Sequence, residues 1–309
     1  MINRYKSIST LLRDRFGGRV YKVALDIGSG CPNRDGTCGL EGCSFCHPDA
    51  LRPHTSRDPR ITPEPLMAQL EEGIEYVHGR HGSRRVISYL QNGSNTYAAA
   101  DKLRPLLCEA VAHPSVAGLA VSTRPDCIEQ SHADLLAELS ERMMVWVELG
   151  LQSAHEETLI RIGRGHGVAR FEQAHAMLSD AGVPVCAHVI LGLPGESPDM
   201  MMETARFLNE TGIWGVKIHN LHVLKGTRLE DEFRRGEIHI PSLEEYAGWV
   251  VDFLEELSPE IVIHRFNSHS PRRFTVAPEW SINKLATLNA VHDELERRDT
   301  RQGKKFGTT

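Results

Sequence analysis

The sequence predicts an α/β fold in which parallel strands and crossover helices form a partial TIM-type barrel. Short runs rich in β-branched residues alternate with helical patterns after residue 20, which implies a parallel sheet. Each predicted strand ends in polar or glycine residues, and barrel enzymes place their sites at these carboxyl ends. An open doubly wound sheet also fits the alternation, but the polar strand ends favour the barrel.

Each predicted strand is a short apolar run with β-rich composition. The first run leads directly into a cysteine-rich loop, and the last is a candidate for a later strand beyond the regular alternation. The runs cover residues 22–27, 85–90, 116–121, 145–149, 185–190, 216–219 and 261–264.

Apolar residues at helical spacing predict the helices between these strands. Ser197 followed by Pro198 is a favoured helix start, and Gly182 and Gly212 stand where helices favour a terminal glycine. Residues 1–20 are predicted to be an N-terminal extension, and residues 236–309 a C-terminal extension packed on the barrel. The helical patterns cover 63–78, 134–139, 171–181, 198–208 and 243–257.

Composition limits the classes of protein to which the chain belongs. Its 309 residues are 40% hydrophobic and 25% charged, enough for one large core, and the net charge of −6 gives no overall attraction to nucleic acid. No apolar run approaches the ~20 residues of a membrane span, and the N-terminus lacks a signal peptide's apolar segment. We therefore expect a cytoplasmic protein without a membrane contact. A basic cluster at residues 297–305 is interpreted as a solvated, frayed tail.

The loop after the first strand is predicted to be a metal site. Four of the seven cysteines lie within residues 31–46, a clustering typical of metal ligands rather than of disulfides. The close pair Cys43 and Cys46 with the more distant Cys31 suits a 4Fe-4S cluster, which would keep one iron open. The alternative is a closed four-thiolate zinc site that includes Cys38, in a binding protein without catalysis. The polar strand ends favour the cluster, because a zinc knuckle needs none of them.

These motifs resemble those of a known superfamily. The loop begins Cys31-Pro-Asn-Arg-Asp-Gly and carries Phe45 between Cys43 and Cys46, which resembles the cluster motif of the radical S-adenosylmethionine (SAM) superfamily. The branch it resembles contains the uncharacterised bacterial proteins related to the Elongator catalytic subunit. Further ordered matches extend the resemblance over nearly the whole chain, namely 122–126, 148–153, 164–166, 191–195, 263–265 and 280–283.

The resemblance implies both a fold and a chemistry. The fold is a (β/α)6 partial barrel, with residues 21–235 as the radical SAM core and a 4Fe-4S cluster on Cys31, Cys43 and Cys46. The cluster would cleave SAM reductively to a 5′-deoxyadenosyl radical that acts on an unidentified substrate, with an electron donor such as flavodoxin or ferredoxin. A tRNA base is the substrate suggested by analogy with the Elongator subunit. A small metabolite or a peptide is the alternative.

Candidate SAM-binding residues follow the second and third strands. The loop at residues 91–96 stands in the place of the family's SAM-amine motif but lacks its carboxylate, so Asn92 and Ser94 would substitute. The alternative for this loop is an ordinary Asn-Gly turn. Ser122 and Arg124 end the third strand, and Arg124 would either pair with the SAM carboxylate or brace the loop through backbone contacts.

The fourth strand offers Glu148 and Gln152, which share one face if the strand continues that far. Gln152 matches a SAM-contacting glutamine in the related coproporphyrinogen oxidase. Glu148 is costly to bury alone, so the alternative role for it is a salt bridge to Arg124 or Arg164.

The remaining candidates follow later strands. Arg164 would bind the ribose or carboxylate of SAM, or be a surface arginine at a helix end. His188 would be a ribose partner or a satisfied core histidine, and Leu191 would begin an adenine-binding turn or an ordinary strand-to-helix turn. Six further residues are candidates for the lining of the barrel mouth: Lys217, His219, His222, His264, Arg265 and His269.

Overall fold

The computed structural model describes residues 4–50 and 65–307. Within these residues seven parallel strands form one sheet in the order β1-β2-β3-β4-β5-β6-β8, which curls into a partial barrel and confirms the predicted fold class. A small antiparallel sheet pairs β7 with β9. The strands are β1 Tyr21–Leu25, β2 Val86–Leu90, β3 Val116–Thr123, β4 Met144–Gln152, β5 Val185–Leu191, β6 Gly215–Asn220, β7 Val223–Leu224, β8 Val262–Arg265 and β9 Thr275–Ala277.

Helices cover the outer face of the sheet. Their caps follow the sequence: Ser197 accepts a hydrogen bond from Met200 N at the start of α7, and Gly182 and Gly212 take left-handed conformations just beyond α6 and α7. The helices are α1 Ile8–Phe16, α2 Leu66–His81, α3 Ala100–Ala110, α4 Gln130–Ser140, α5 Glu156–Arg161, α6 Val168–Asp180, α7 Pro198–Glu210, α8 Arg228–Arg234, α9 Leu243–Glu256 and α10 Lys284–Arg297.

Alternation along each strand separates an outer apolar core from the barrel lumen. In β4, Val145, Val147 and Leu149 belong to the main core between the sheet and the helices. Trp146 and Glu148 lie on the opposite face, and both are completely buried in the lumen. The carboxyl end of the lumen is therefore the place for a site.

The opposite end of the lumen is closed by α1, in the N-terminal extension. Ser7 caps this helix by accepting from Thr10 N, and Gly17 ends it at φ 68°. Leu12 of α1 is 5% exposed and joins a cluster with Trp146 and Met144 at the foot of the barrel. The extension is thus part of the barrel's packing.

The C-terminal region is ordered around β8 and α9, and the expectation of a frayed tail at residues 297–305 is wrong. Arg298 donates to Asp252 and Glu294, both at 2.5 Å. Gln302 is 4% exposed and donates to the backbone oxygens of Ser258 and Ile261 at 2.7 and 2.8 Å. The buried amide of Gln302 donates to two backbone carbonyl groups and thereby holds this segment in place, although the residues around it are basic.

Five of the described helices were absent from the sequence prediction: α1, α3, α5, α8 and α10. Pro105 lies inside α3 and interrupts the helical pattern of the sequence, but Leu103, Leu107 and Ala110 form the buried inner face of this helix.

Among the described helices none is long and apolar enough to cross a membrane.

Candidate active site at the carboxyl end of the barrel

The cysteine loop lies at the carboxyl end of β1 and is held by backbone hydrogen bonds. Cys31 O accepts from the backbone N–H groups of Arg34 at 2.9 Å and Asp35 at 3.3 Å. Ser44 N donates to Ile162 O at 2.8 Å, which ties the loop to the segment after β4. The loop is therefore a fixed part of the barrel mouth.

Cys43 is the buried thiol of this loop and faces two hydrogen-bond donors. Its Sγ lies 3.7 Å from Arg164 Nη1 and 3.6 Å from Asn33 Nδ2, and its residue is 8% exposed. A guanidinium and an amide thus direct N–H donors at this sulfur. Burial, together with the charge of the neighbouring Cys43, raises the pKa of the Cys46 thiol to about 11. The Cys46 sulfur therefore needs a bound metal to ionise near neutral pH.

Cys38 has different surroundings. It is exposed, and its Sγ lies 3.8 Å from Arg124 Nη2 and 3.9 Å from Asp126 Oδ2. In residues 4–50 and 65–307, no three His, Cys, Asp or Glu side chains come together closely enough to hold one metal ion. The four thiols of the loop are thus not gathered around a single-ion centre.

Arg124 braces the site. Its guanidinium makes two hydrogen bonds to Asp126, at 2.9 and 2.7 Å, and Nη2 also donates to Arg164 O at 3.0 Å. Burial opposes ionisation of Asp126, but the hydrogen bond and charge of Arg124 hold its pKa below the ordinary value. The hydrogen bond to Arg164 O is a backbone contact of the kind that the predicted bracing role requires, and Nη1 is buried without a partner.

Arg164 is 6% exposed, so the alternative of a surface arginine is wrong. Its Nη2 donates to Gly150 O at 2.7 Å, and its Nε is buried without a partner. A Cβ at Gly150 would lie 2.4 Å from Arg164 Nη2 and 2.9 Å from Gln152 Nε2. Glycine at this position therefore lets Arg164 and Gln152 lie together over β4.

Gln152 ends β4 in a strained conformation. Its φ is 81°, in the left-handed region that residues with a Cβ rarely adopt, and the register to β5 shifts between Gly150 and Gln152. β4 extends to Gln152, which is the condition for Glu148 and Gln152 to share one face of the strand. The register shift interrupts the regular alternation of side chains at this point. Strain of this kind is typical of functional sites.

The loop after β2 is pinned between its neighbours. Asn92 Nδ2 donates to Asp26 Oδ2 at 3.1 Å, and Ser94, 1% exposed, donates its backbone N–H to Gly30 O at 3.0 Å. Ser122 O accepts from Asn95 Nδ2 at 2.8 Å. These contacts bring Asn92, Ser94 and Ser122 to one side of the mouth.

Glu148 lies deeper, inside the lumen, and its partners are lysines. Oε1 accepts from Lys22 and Oε2 accepts from Lys217 at 2.5 Å, so the predicted pairing with Arg124 or Arg164 is wrong. Burial would raise the pKa of Glu148, but the charges of Lys217 and Lys22 hold it well below the ordinary value. The carboxylate is ionised and its lone pairs are used.

His188 and Leu191 differ in their access to the lumen. His188 Nε2 lies 2.9 Å from Glu148 Oε2, and burial, with the charge of Lys217, lowers its pKa to about 3. The ring is therefore neutral at pH 7. Leu191 is 1% exposed and its side chain lies in the main core, so only its backbone is available to a ligand.

Comparison with known proteins matches this architecture. The sequence model of the Radical SAM superfamily matches residues 25–208, which include the cysteine loop and the ends of β2 to β5. The chain belongs to the radical SAM superfamily. The Radical_SAM C-terminal domain matches residues 213–297 of this radical SAM protein, from β6 to the end of α10.

Named relatives support the predicted branch. The chain is 39% identical to Uncharacterized protein YtqA of Bacillus subtilis over 98% of its length and 93% of that protein. It is 33% identical to the tRNA uridine(34) acetyltransferase of Methanocaldococcus infernus over 50% of its length and 28% of that protein. Archaeal Methanocaldococcus infernus Elp3 with an N-terminal deletion has a similar fold, at TM-score 0.70 and 19% identity, covering 92% of this chain and 64% of that one. The predicted relationship to Elongator complex protein 3 is confirmed.

Three site residues of this radical SAM protein were not singled out from the sequence: Asn33, Asn95 and Asp126. Asn33 lies within the Cys-Pro-Asn-Arg motif, so proximity to Cys31 was the available signal. Its Nδ2 donates to Gly163 O at 2.7 Å as well as facing Cys43. Asn95 donates across strand ends to Ser122 O, a partner that its local sequence does not indicate. Asp126 accepts from Arg124 two residues earlier, so the Arg-Pro-Asp spacing was the available signal for it.

Proposed function

We propose that the chain is a radical SAM enzyme in which Cys31, Cys43 and Cys46 hold one 4Fe-4S cluster. The observation that carries this proposal is the buried Cys43 sulfur, which faces Arg164 and Asn33 at the barrel mouth. Soft thiolates on a short loop, with N–H donors directed at sulfur, suit an iron–sulfur cluster. Cys38 is the spare thiol in this assignment.

When bound, the cluster supplies the electron that cleaves SAM to a 5′-deoxyadenosyl radical. The residues of the chain bind SAM, orient it and shield its site from water. Arg164 and Gln152 lie beside the cysteine loop and bind the charged end of SAM. Six further residues are proposed to contact SAM directly or to support its site: Asn92, Ser94, Ser122, Arg124, His188 and, through its backbone, Leu191. Glu148 acts indirectly, through its hydrogen bond with His188.

The proposed substrate class is a tRNA base. The relatives named tRNA uridine(34) acetyltransferase support it, since they match about half of this chain. The net charge of −6 favours the alternative of a small metabolite or peptide, because it offers little attraction to RNA.

Three further assignments complete the proposal. The catalytic core is residues 21–235, flanked by extensions at 1–20 and 236–309. The electron donor is a flavodoxin or ferredoxin. The protein is located in the cytoplasm.

Anaerobic reconstitution with iron and sulfide tests the chemistry. We expect brown protein, and 5′-deoxyadenosine when dithionite and SAM are added. Cys43→Ala is expected to abolish the bound iron and the product, whereas Cys38→Ala retains both. Colourless protein with one zinc per chain, or equal loss of iron in both variants, would contradict the assignment.

Nucleoside profiling tests the substrate class. In cells that lack this gene, the tRNA hypothesis predicts that one modified nucleoside disappears and a precursor accumulates. Restoration requires the wild-type gene and fails with Cys43→Ala. Unchanged tRNA nucleosides, with an altered pool of a small metabolite, would favour the alternative substrate.

A further inference from the structure

The lumen below the cysteine loop carries more positive than negative charge. Lys22 on β1, Lys217 on β6 and Arg265 on β8 surround Glu148, which is 0% exposed. In the described parts of the chain, Glu148 is the carboxylate that pairs with these lysines, and burial keeps the nearby histidines neutral. Lys22 and Arg265 thus share one anion with Lys217, whose pKa burial lowers to about 7.

The carboxylate of Glu148 is fully used by other groups. Besides Lys22, Oε1 lies 3.4 Å from Trp146 Nε1, and Oε2 lies 2.5 Å from Lys217 and 2.9 Å from His188. Each carboxylate oxygen has about two lone-pair positions, so no acceptor site remains for Arg265.

Arg265 has no carboxylate within salt-bridge distance among the residues of the described chain. Its Nη2 contacts His219 Nε2 at 3.0 Å, and its Nε is buried without a partner. Burial lowers the pKa of Arg265, but an arginine stays protonated near neutral pH. An unpaired guanidinium in such surroundings is unfavourable unless a ligand neutralises it.

A β-bulge puts Arg265 in this position. Val216 pairs with Ile263 but Lys217 pairs with Arg265, so His264 is the extra residue of β8. Strand alternation would have turned Arg265 away from the lumen, and the bulge turns it toward Lys217. Bulges of this kind often re-aim a side chain beside an active site.

The register of the sheet links this region to the cysteine loop. Arg265 pairs with Lys217, Lys217 with His188, and His188 with Gly150. Gly150 O accepts from Arg164, whose other terminal nitrogen faces Cys43. Three strand pairings and the contacts of Arg164 therefore connect the lumen pocket, defined as Lys217, His219 and Arg265, to the cysteine loop.

We propose that the lumen pocket binds a carboxylate or phosphate group of the molecule on which the radical acts. This inference rests on the proposed radical SAM function and adds the charge class of the substrate. The pocket lies near β8, at the edge of the sheet opposite to β1 and its cysteine loop. Arg164, which has no carboxylate partner in the described residues, is the cation beside the loop and is assigned to SAM.

Calorimetric titration of the reconstituted full-length chain tests the pocket with inorganic phosphate and with malonate. At least one anion is expected to bind, and Arg265→Gln is expected to weaken it about tenfold or more, because a charge-assisted hydrogen bond is lost. Arg265→Lys keeps the charge and is expected to retain most of the affinity. Arg301→Gln, an exposed arginine in the C-terminal segment, is the matched control.

The two anions distinguish the two chemical groups that the substrate could carry. Binding of phosphate indicates a phosphate ester, and binding of malonate indicates a carboxylate. Failure of both anions to bind, or equal affinity in Arg265→Gln and wild type, would overturn the proposal. So would a loss of SAM affinity in Arg265→Gln that equals the loss of anion affinity, because the pocket would then belong to SAM.

Should Arg265→Gln fail to fold by circular dichroism, Lys284→Gln provides the second variant. Lys284 is at the start of α10 with its side chain on the surface, and partial burial and the charge of Arg265 lower its pKa. A loss of about threefold in anion affinity is expected for this partly screened charge, and an unchanged affinity counts against the pocket. Absence of cluster or of SAM cleavage would instead refute the proposed function, independently of anion binding.

Discussion

Glu148 illustrates how single residues set the character of this lumen. The sequence indicated that a glutamate within Val-Trp-Val-Glu-Leu needs a charged partner, and that expectation holds. The identity of the partner was wrong, because Lys22 and Lys217 are 126 and 69 residues away along the chain. Pairing at such separations depends on how the sheet curls, which local sequence does not encode.

Glu148→Gln is predicted to destabilise the fold by about 3–5 kcal/mol, because it leaves the buried Lys217 and the partly exposed Lys22 without their counter-charge. Urea unfolding at pH 7 measures this. Glu260→Gln is the matched control: its carboxylate pairs with Lys6 on the surface with the side chain 83% exposed, so a loss below about 1 kcal/mol is expected. Equal effects of the two substitutions would contradict the role given to Glu148.

Acid is predicted to weaken the wild type more than Glu148→Gln. The pKa of Glu148 is lower in the folded than in the unfolded chain, so the unfolded state binds more protons as the pH falls. The stabilisation is complete above the unfolded pKa of about 4.3 and is lost as the pH drops toward the folded value. Unfolding free energies measured across acidic pH should converge for the two proteins, and parallel curves would refute the assignment.

Among the elements, α1 and β8 do more than their sequence patterns indicated. The N-terminal segment was predicted to be an extension, yet α1 closes the foot of the lumen through Leu12. The run at 261–264 was a candidate strand, and it is the seventh strand of the sheet, shifted by one residue to Val262–Arg265. Its bulge, invisible in the sequence, decides that Arg265 faces the lumen.

Leu12→Ala is predicted to cost about 2–5 kcal/mol of unfolding free energy, since it leaves a cavity against Trp146 and Met144. Thermal or urea unfolding measures the loss. Leu285→Ala on α10 is the control because Leu285 is 63% exposed, and it should change stability by less than about 0.5 kcal/mol. A small effect at Leu12 would mean that α1 does not close the barrel in solution.

At the scale of the whole molecule, the C-terminal region completes the barrel. β8 pairs with β6, and α9 buries Tyr246, Phe253 and Leu254 in the main core. The radical SAM match at 25–208 and the C-terminal match at 213–297 therefore meet within one continuous sheet and core. Separation of the two parts would expose the edge of β6 and the apolar surface that α9 covers.

A chain truncated after residue 235 is predicted to lose cooperative folding, because it lacks β8, α9 and α10. Size-exclusion chromatography and thermal unfolding by circular dichroism should reveal aggregation and no sharp transition. The control is truncation after Lys305, which retains the bond from Lys305 N to Glu255 O and should unfold like the full chain. A folded, monomeric 1–235 fragment would contradict the single-core interpretation.

The sequence by itself determined the strand–helix alternation, the parallel partial barrel and the position of the cysteine loop after β1. These features depend on local composition, on short spacings and on the rule that parallel strands need crossovers. The tertiary structure alone decided that Arg164 faces Cys43, that Glu148 pairs with two lysines, and that the C-terminal segment is fixed by Gln302. Each of these depends on distances between side chains that converge only when the sheet curls and its register, including the bulge at His264, is set.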